Sequence, residues 1–300
     1  LVKRDNVDVV VGTVHSGVAM AMAKVAKDTG TLLIVPNAGA NAVTGPMCGK
    51  NIYRSSFTNS RPGCEVGEAR AKKGVKKLVS ITWKYAAGDE SVGGFKEAFE
   101  KGGGQVVKEL AVPFPNVEFQ ALLTEIASIK PDAVYTFFAG GGAVKFVKDY
   151  AAAGLKGTIP LYGAGFLTDG TLEAQGAAAD GLQTALHYAD SLNTPRDNAF
   201  RLAYAKTYKL QPDVYAVQGY DAAQILAVGL AATKGDASKH DAFAAAVRKA
   251  TIDSPRGPFK MSASHNPIQD FYLREVKDKE NKVVGIASKQ LVDPGRGCRM

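Results

Sequence analysis

Val7-Asp8-Val9-Val10-Val11-Gly12-Thr13-Val14-His15-Ser16-Gly17 passes from a β-branched run through a glycine turn into a helix of small residues. The run reads as a strand, and the pattern from Ser16 to Lys27, ending near Gly30, reads as a helix. Thr31–Val35 is the next expected strand, stopped by Pro36. The alternation continues outward, with strands expected over Lys77–Thr82, Gln105–Ala111, Asp132–Phe138 and Ile159–Gly163. Helices are expected over Gly88–Lys101, Phe119–Ile129 and Gly142–Ala153. Strands separated by helices of about 10–15 residues imply βαβ crossovers and parallel sheets. After Gly181 the rhythm changes to one strand (Leu182–His187), three helices (Pro195–Tyr208, Val214–Thr233, Ala237–Ala250) and a hairpin (Asp270–Val276 and Lys282–Leu291). Two βα series split by a mixed segment predict an α/β fold of two doubly wound lobes.

The chain has 300 residues, 37 Lys+Arg against 29 Asp+Glu (net +8) and 46% hydrophobic residues. That apolar fraction suffices for real cores and excludes disorder. No apolar run approaches the roughly 20 residues of a membrane-spanning helix. The opening Leu1-Val2-Lys3-Arg4-Asp5-Asn6 carries no secretory signal and reads as the middle of an element. A processed or incomplete chain is therefore expected, with at least one βαβ unit missing upstream. The densest basic cluster, Lys72-Lys73-Gly74-Val75-Lys76-Lys77, sits at a helix end, where lysines complement the dipole. It lacks the interleaved aromatics of a nucleic-acid surface, so no nucleic-acid partner is expected.

No catalytic constellation forms. Ser16 has Val14 and Val18 where a nucleophile elbow needs glycines. His15, His187, His240 and His265 are scattered, and the three cysteines show no metal-site spacing, so neither a metal nor a cofactor is expected. An odd cysteine count leaves at most one disulfide. Cys48 and Cys298, both in glycine-containing loops, are the candidate pair, and three free thiols are the alternative. The turn Gly12–Gly17 opens a helix whose unsatisfied N–H groups favour an anion. Ser16 could add a hydroxyl donor there or merely cap its own helix. Ala139-Gly140-Gly141-Gly142 and Gly163-Ala164-Gly165-Phe166 are strand-to-helix loops that complete no nucleotide motif. Their glycines allow close ligand approach or a tight turn. Tyr85, in a loop at a strand's carboxyl end, can cover a ligand with its ring. Phe57, Phe138, Tyr162 and Phe166 lie near expected rim positions, with core packing as the alternative for each.

Taken in order, Val7–Gly12 with Ser16, Ile34-Val35-Pro36-Asn37, Tyr53-Arg54-Ser55-Ser56, Tyr85-Ala86-Ala87-Gly88 and Gly219-Tyr220-Asp221-Ala222-Ala223 span the chain. This set resembles the leucine/isoleucine/valine-binding-protein-like family of periplasmic solute-binding proteins. The resemblance implies a type I fold of two lobes joined by three hinge crossovers, with ligand held between them for an ABC importer. The lobes would cover 1–58 plus 188–258 and 59–187 plus 259–291, with 292–300 as a tail. The first lobe would lack the family's N-terminal βαβ unit. The resemblance also implies a periplasmic location, a monomer, and an ABC transporter permease as partner. By the same resemblance, Ser16 with His15 and the backbone at Asn37, Ala38 and Gly39 grips a carboxylate. Tyr85 closes over it, and Phe138, Ala139, Gly140, Tyr162, Gly165, Phe166, Phe57 and Tyr220 complete the candidate pocket. Amino-acid binders of the family place an acid in the loop held here by Gly163-Ala164-Gly165, to pair with the ligand's ammonium. Gly165 offers no charge, and an unpaired buried ammonium is strongly unfavourable. The expected ligand is therefore a small organic acid without an amino group, an aromatic carboxylate such as benzoate. The alternatives are a branched-chain amino-acid binder and a ligand sensor of the same fold; an enzyme is not expected.

Overall fold

The computed structural model describes Leu1–Met300. Its strands are β1 (Val9–Val11), β2 (Leu32–Val35), β3 (Ile52–Arg54), β4 (Lys77–Lys84), β5 (Gln105–Pro113), β6 (Ala133–Phe137), β7 (Leu161–Ala164), β8 (Gln183–Leu186), β9 (Lys260–Met261), β10 (Pro267–Lys277) and β11 (Glu280–Leu291). The helices are α1 (Val2–Asp5), α2 (Ser16–Thr29), α3 (Ser60–Lys72), α4 (Ala86–Lys101), α5 (Gln120–Ile129), α6 (Gly140–Ala152), α7 (Leu172–Gln175), α8 (Pro195–Tyr208), α9 (Val214–Thr233) and α10 (His240–Lys249). The long helices α8 and α9 fall on the residues expected of them, because Thr194 and Asp213 cap their starts by accepting from Asp197 and Ala216 N–H groups. The strand β3 went unrecognised in the sequence, being only Ile52-Tyr53-Arg54 and ending in a charge.

The chain forms two compact units. Unit 1 comprises Leu1–Thr58, Asn193–Gln269 and Gln290–Met300, and unit 2 comprises Asn59–Leu192 and Asp270–Lys289. The chain passes from one unit to the other at 58/59, 192/193, 269/270 and 289/290. The last passage returns the C-terminal segment, whose residues 292–300 were expected to form a tail, to unit 1. A disulfide between Cys48 and Cys298 ties it there, and the Thr58 hydroxyl donates to Asp293.

In unit 1 a parallel sheet runs in the order β1-β2-β3, with Val9 beside Leu32 and Leu33 beside Ile52. The strand β2 is apolar throughout because both its faces are covered. Leu33 and Val35 pack with Ala19, Ala23 and Ala26 of α2. Leu32 and Ile34 pack with Ala222 and Ile225 of α9 and Phe243 and Val247 of α10.

In unit 2 the strand order is β11-β10-β8-β7-β6-β4-β5, parallel from β8 to β5, with β10 antiparallel to β8. Alternation again assigns the faces. Val79, Ile81, Val134 and Phe138 meet Leu123, Ile126, Phe146 and Tyr150 of α5 and α6. Leu78, Ala133 and Tyr135 meet Val66, Phe95 and Phe99 of α3 and α4. Those two helices lie so close that a Cβ on Gly63 would sit 2.2 Å from the Ser91 carbonyl oxygen.

Candidate functional site

Ligands of parallel α/β sheets collect at the carboxyl ends of the strands, so each unit's rim is taken in turn. In unit 1, β1 is followed by Gly12-Thr13-Val14, and His15 enters α2 with an extended backbone (φ −80°, ψ 125°). The His15 Nδ1 accepts from the Gly17 N–H at 3.1 Å. The helix cap is thus His15, which commits one ring nitrogen, while Ser16 is the first helical residue and only 2% exposed. After β2, the Ala38 N–H donates to the Thr13 carbonyl at 2.9 Å. This corrects one expectation: the Ala38 amide is spent on joining two rim loops. The Asn37 side chain donates through Nδ2 to Gln218 Oε1 at 2.7 Å, and the Ser56 hydroxyl donates to the Asn37 carbonyl at 2.9 Å. Gly39 follows in the same loop, and Phe57, past β3, is buried.

Tyr220 lies against α8. Its hydroxyl accepts from Arg196 Nη2 at 3.0 Å, its ring lies under that guanidinium, and Phe200 packs beside it. Two residues along a helix turn the side chain by about 200°, so Tyr220 lies on the outer surface of α9 and Gln218 faces Asn37. Sequence reading missed Gln218. Its signal was an amide within the otherwise apolar stretch Val214-Tyr215-Ala216-Val217.

In unit 2, Tyr85 follows β4 and precedes α4. Its ring is half-buried against Phe114 (4.8 Å between centroids) and near Phe137 (6.3 Å) and Trp83 (6.5 Å). Burial pushes the phenol up to about 12, so at neutral pH it keeps a proton to donate. Ala139 leads into α6 with an extended backbone, and Gly140 adopts φ 53° in open space. Phe138 does not line the rim. It is fully buried among Trp83, Phe119 and Phe146, because strand alternation puts it on the α5–α6 face. Tyr162 is likewise displaced. β7 starts at Leu161, so Tyr162 falls early in the strand, where the Arg70 guanidinium sits 4.6 Å over its ring.

Gly165 and the buried Phe166 form a tight turn after β7. A Cβ on Gly165 would lie 2.7 Å from both Arg274 Nη2 and Leu186 Cβ. Arg274 cannot swing aside cheaply. It is fully buried, paired with Asp169 at 2.7 Å, and donates to the Gly165 and Tyr188 carbonyls and to Thr184. A Cβ on Gly163 would meet Leu167 Cδ2 at 2.8 Å. Glycine at 165 is therefore a packing requirement of the turn, whereas at 163 the nearest obstacle is the flexible tip of Leu167. No group of three or more His, Cys, Asp or Glu is gathered that could hold a metal ion, and no helix is long and apolar enough to cross a membrane.

The periplasmic binding protein family model matches residues 1–281. A Leu/Ile/Val-binding protein homologue of Brucella melitensis is 31% identical over 98% of this chain and 77% of its own length. A solute-binding protein of an R. palustris ABC transporter, solved in complex with benzoate, superposes with a TM-score of 0.95 at 52% identity, covering 100% of this chain and 82% of its own. Another, from Rhodopseudomonas palustris BisB5 in complex with 3,4-dihydroxybenzoic acid, gives 0.90 at 32% identity, over 98% and 82%. The sheet order, the rims at the strand ends and these likenesses agree: the chain belongs to the periplasmic binding protein family.

Proposed function

We propose that this chain captures a small aromatic carboxylate in the periplasm and presents it, chemically unchanged, to the permease of an ABC importer. The observation that carries the reading is the closed turn at Gly163-Ala164-Gly165. The loop carries no acidic side chain, and at Gly165 a Cβ would run into Arg274 and Leu186, so it supplies no carboxylate for an ammonium. Leaving an ammonium unpaired in a buried site costs several kcal/mol, whereas an aromatic acid asks only for donors and apolar cover. Ser16 and the Asn37 loop are the donors we assign to it on unit 1. The relative that is 52% identical and holds benzoate supports the same class.

The test is isothermal titration of the purified chain with benzoate, 4-hydroxybenzoate, leucine and glutamate. Benzoate-type acids are expected to bind at least about 100-fold tighter than either amino acid, equivalent to about 2.7 kcal/mol. Tighter binding of leucine would overturn the reading in favour of a branched-chain amino-acid binder. Mass spectrometry of the recovered ligand is expected to return the acid unaltered.

A further inference from the structure

The unit 1 rim was expected to hold a carboxylate with main-chain amides, yet the Ala38 amide is already bonded to Thr13. A different donor stands beside it. Asn37 is 8% exposed, and its side-chain nitrogen carries two N–H bonds. One of them is taken by Gln218 Oε1 at 2.7 Å. An asparagine amide otherwise rotates broadly about its last torsion. Because both hydrogens lie in the amide plane, fixing one fixes the direction of the other.

Gln218 is itself held in place from several sides. It is fully buried on α9, and its carbonyl accepts from the Ser55 hydroxyl at 2.9 Å. The Ser55 carbonyl accepts from Arg256 Nη2 at 2.6 Å. Arg256 pairs with Asp221, one helical turn beyond Gln218, and Asp221 also accepts from the Ser254 hydroxyl at 2.7 Å. The loop of Asn37 is pinned separately, through the Ser56 hydroxyl on its carbonyl. Such a chain of buried, linked polar groups restricts the geometry of Gln218.

We propose that the Asn37 side-chain amide is a carboxylate donor of the unit 1 rim and that Gln218 is the positioning residue that aims it. Gln218 acts only through Asn37 and does not touch the ligand. This rests on the aromatic-acid reading and names the donor within it.

A double-mutant cycle on the full chain, read by benzoate titration calorimetry, tests it. Asn37→Ala is expected to weaken benzoate about thirtyfold, as for a lost hydrogen bond to a charged group. Gln218→Met is expected to weaken it about tenfold. The double variant should bind no more weakly than Asn37→Ala, since the positioning residue has nothing left to aim. Losses that multiply, or an Asn37→Ala variant that binds like the parent, would overturn the assignment. If Gln218→Met does not fold, Ser56→Ala replaces it in the same cycle, with a loss of a few-fold that must likewise vanish beside Asn37→Ala. A parent chain that takes up no benzoate overturns the aromatic-acid reading itself, before any variant is compared.

Discussion

Each unit holds a fully buried arginine, Arg274 in unit 2 and Arg54 in unit 1, but the two units differ in how much aromatic packing surrounds it. Unit 2 rests on aromatic packing: Phe138, Phe146, Phe119 and Trp83 interlock on one face of its sheet, and Phe95, Phe99 and Tyr135 stack on the other. Unit 1 has a three-stranded sheet and leans on buried polar ties between segments distant in sequence. Arg54 is its centre. Fully buried, it donates to the carbonyls of Ala38 and Ala40, to the Thr44 hydroxyl and to Asn266. Aromatic packing tolerates small shifts in angle; a guanidinium serving several acceptors does not. The lesson is that the same substitution chemistry should act differently in the two units.

The largest effect is expected from Phe146→Ala. Removing a ring that touches Phe119, Phe138 and Tyr150 should lower stability by about 3–5 kcal/mol, read as a fall in the urea midpoint. A loss below about 1 kcal/mol would break the packing account of unit 2. Next comes Arg54→Met, which strands several buried acceptors and should cost about 3 kcal/mol. Arg54→Lys should recover less than half of that, because an ammonium cannot reproduce the planar fork. Full recovery would show that charge rather than geometry matters there.

The smallest effect is a slope. Burial holds Asp221 up at about 6, from 3.8, against the pull of Arg256, the Ser254 hydroxyl and Arg196; Asp253 adds to the rise. A carboxyl raised in the folded state binds its proton more tightly there than in the unfolded chain. Its contribution to stability is therefore full below pH 3.8 and is lost as pH rises through about 6. Asp221→Asn should flatten that part of the stability curve, a change of no more than about 1.4 kcal/mol per pH unit for one proton. An unchanged slope in chemical denaturation between these limits would mean that Asp221 does not titrate there.

The comparison also explains what the sequence could reveal. Alternating β-branched runs and amphipathic stretches made most strands of both sheets legible, β3 excepted, because the central strands are apolar on two faces. The rims were only partly legible. Tyr85 is placed by its turn, whereas Phe138 is moved into the core by strand parity, and Tyr162 by where β7 begins. Gln218, Arg54 and Arg274 owe their roles to partners many residues away, and a local pattern carries no record of such partners. The glycine at 165 was read as a missing charge; its neighbours show that it is also a matter of room.

The disulfide joining Cys48 to Cys298 has one more consequence. With its ends separated by 250 in sequence, it closes the chain into a covalent ring that contains all of unit 2. A protease that nicks an exposed turn, such as Asp278-Lys279 between β10 and β11, opens the ring without releasing a fragment. A once-cut molecule would migrate as one species on a denaturing gel and fall into two only when a thiol is added. A single scission then leaves both pieces of the chain covalently joined.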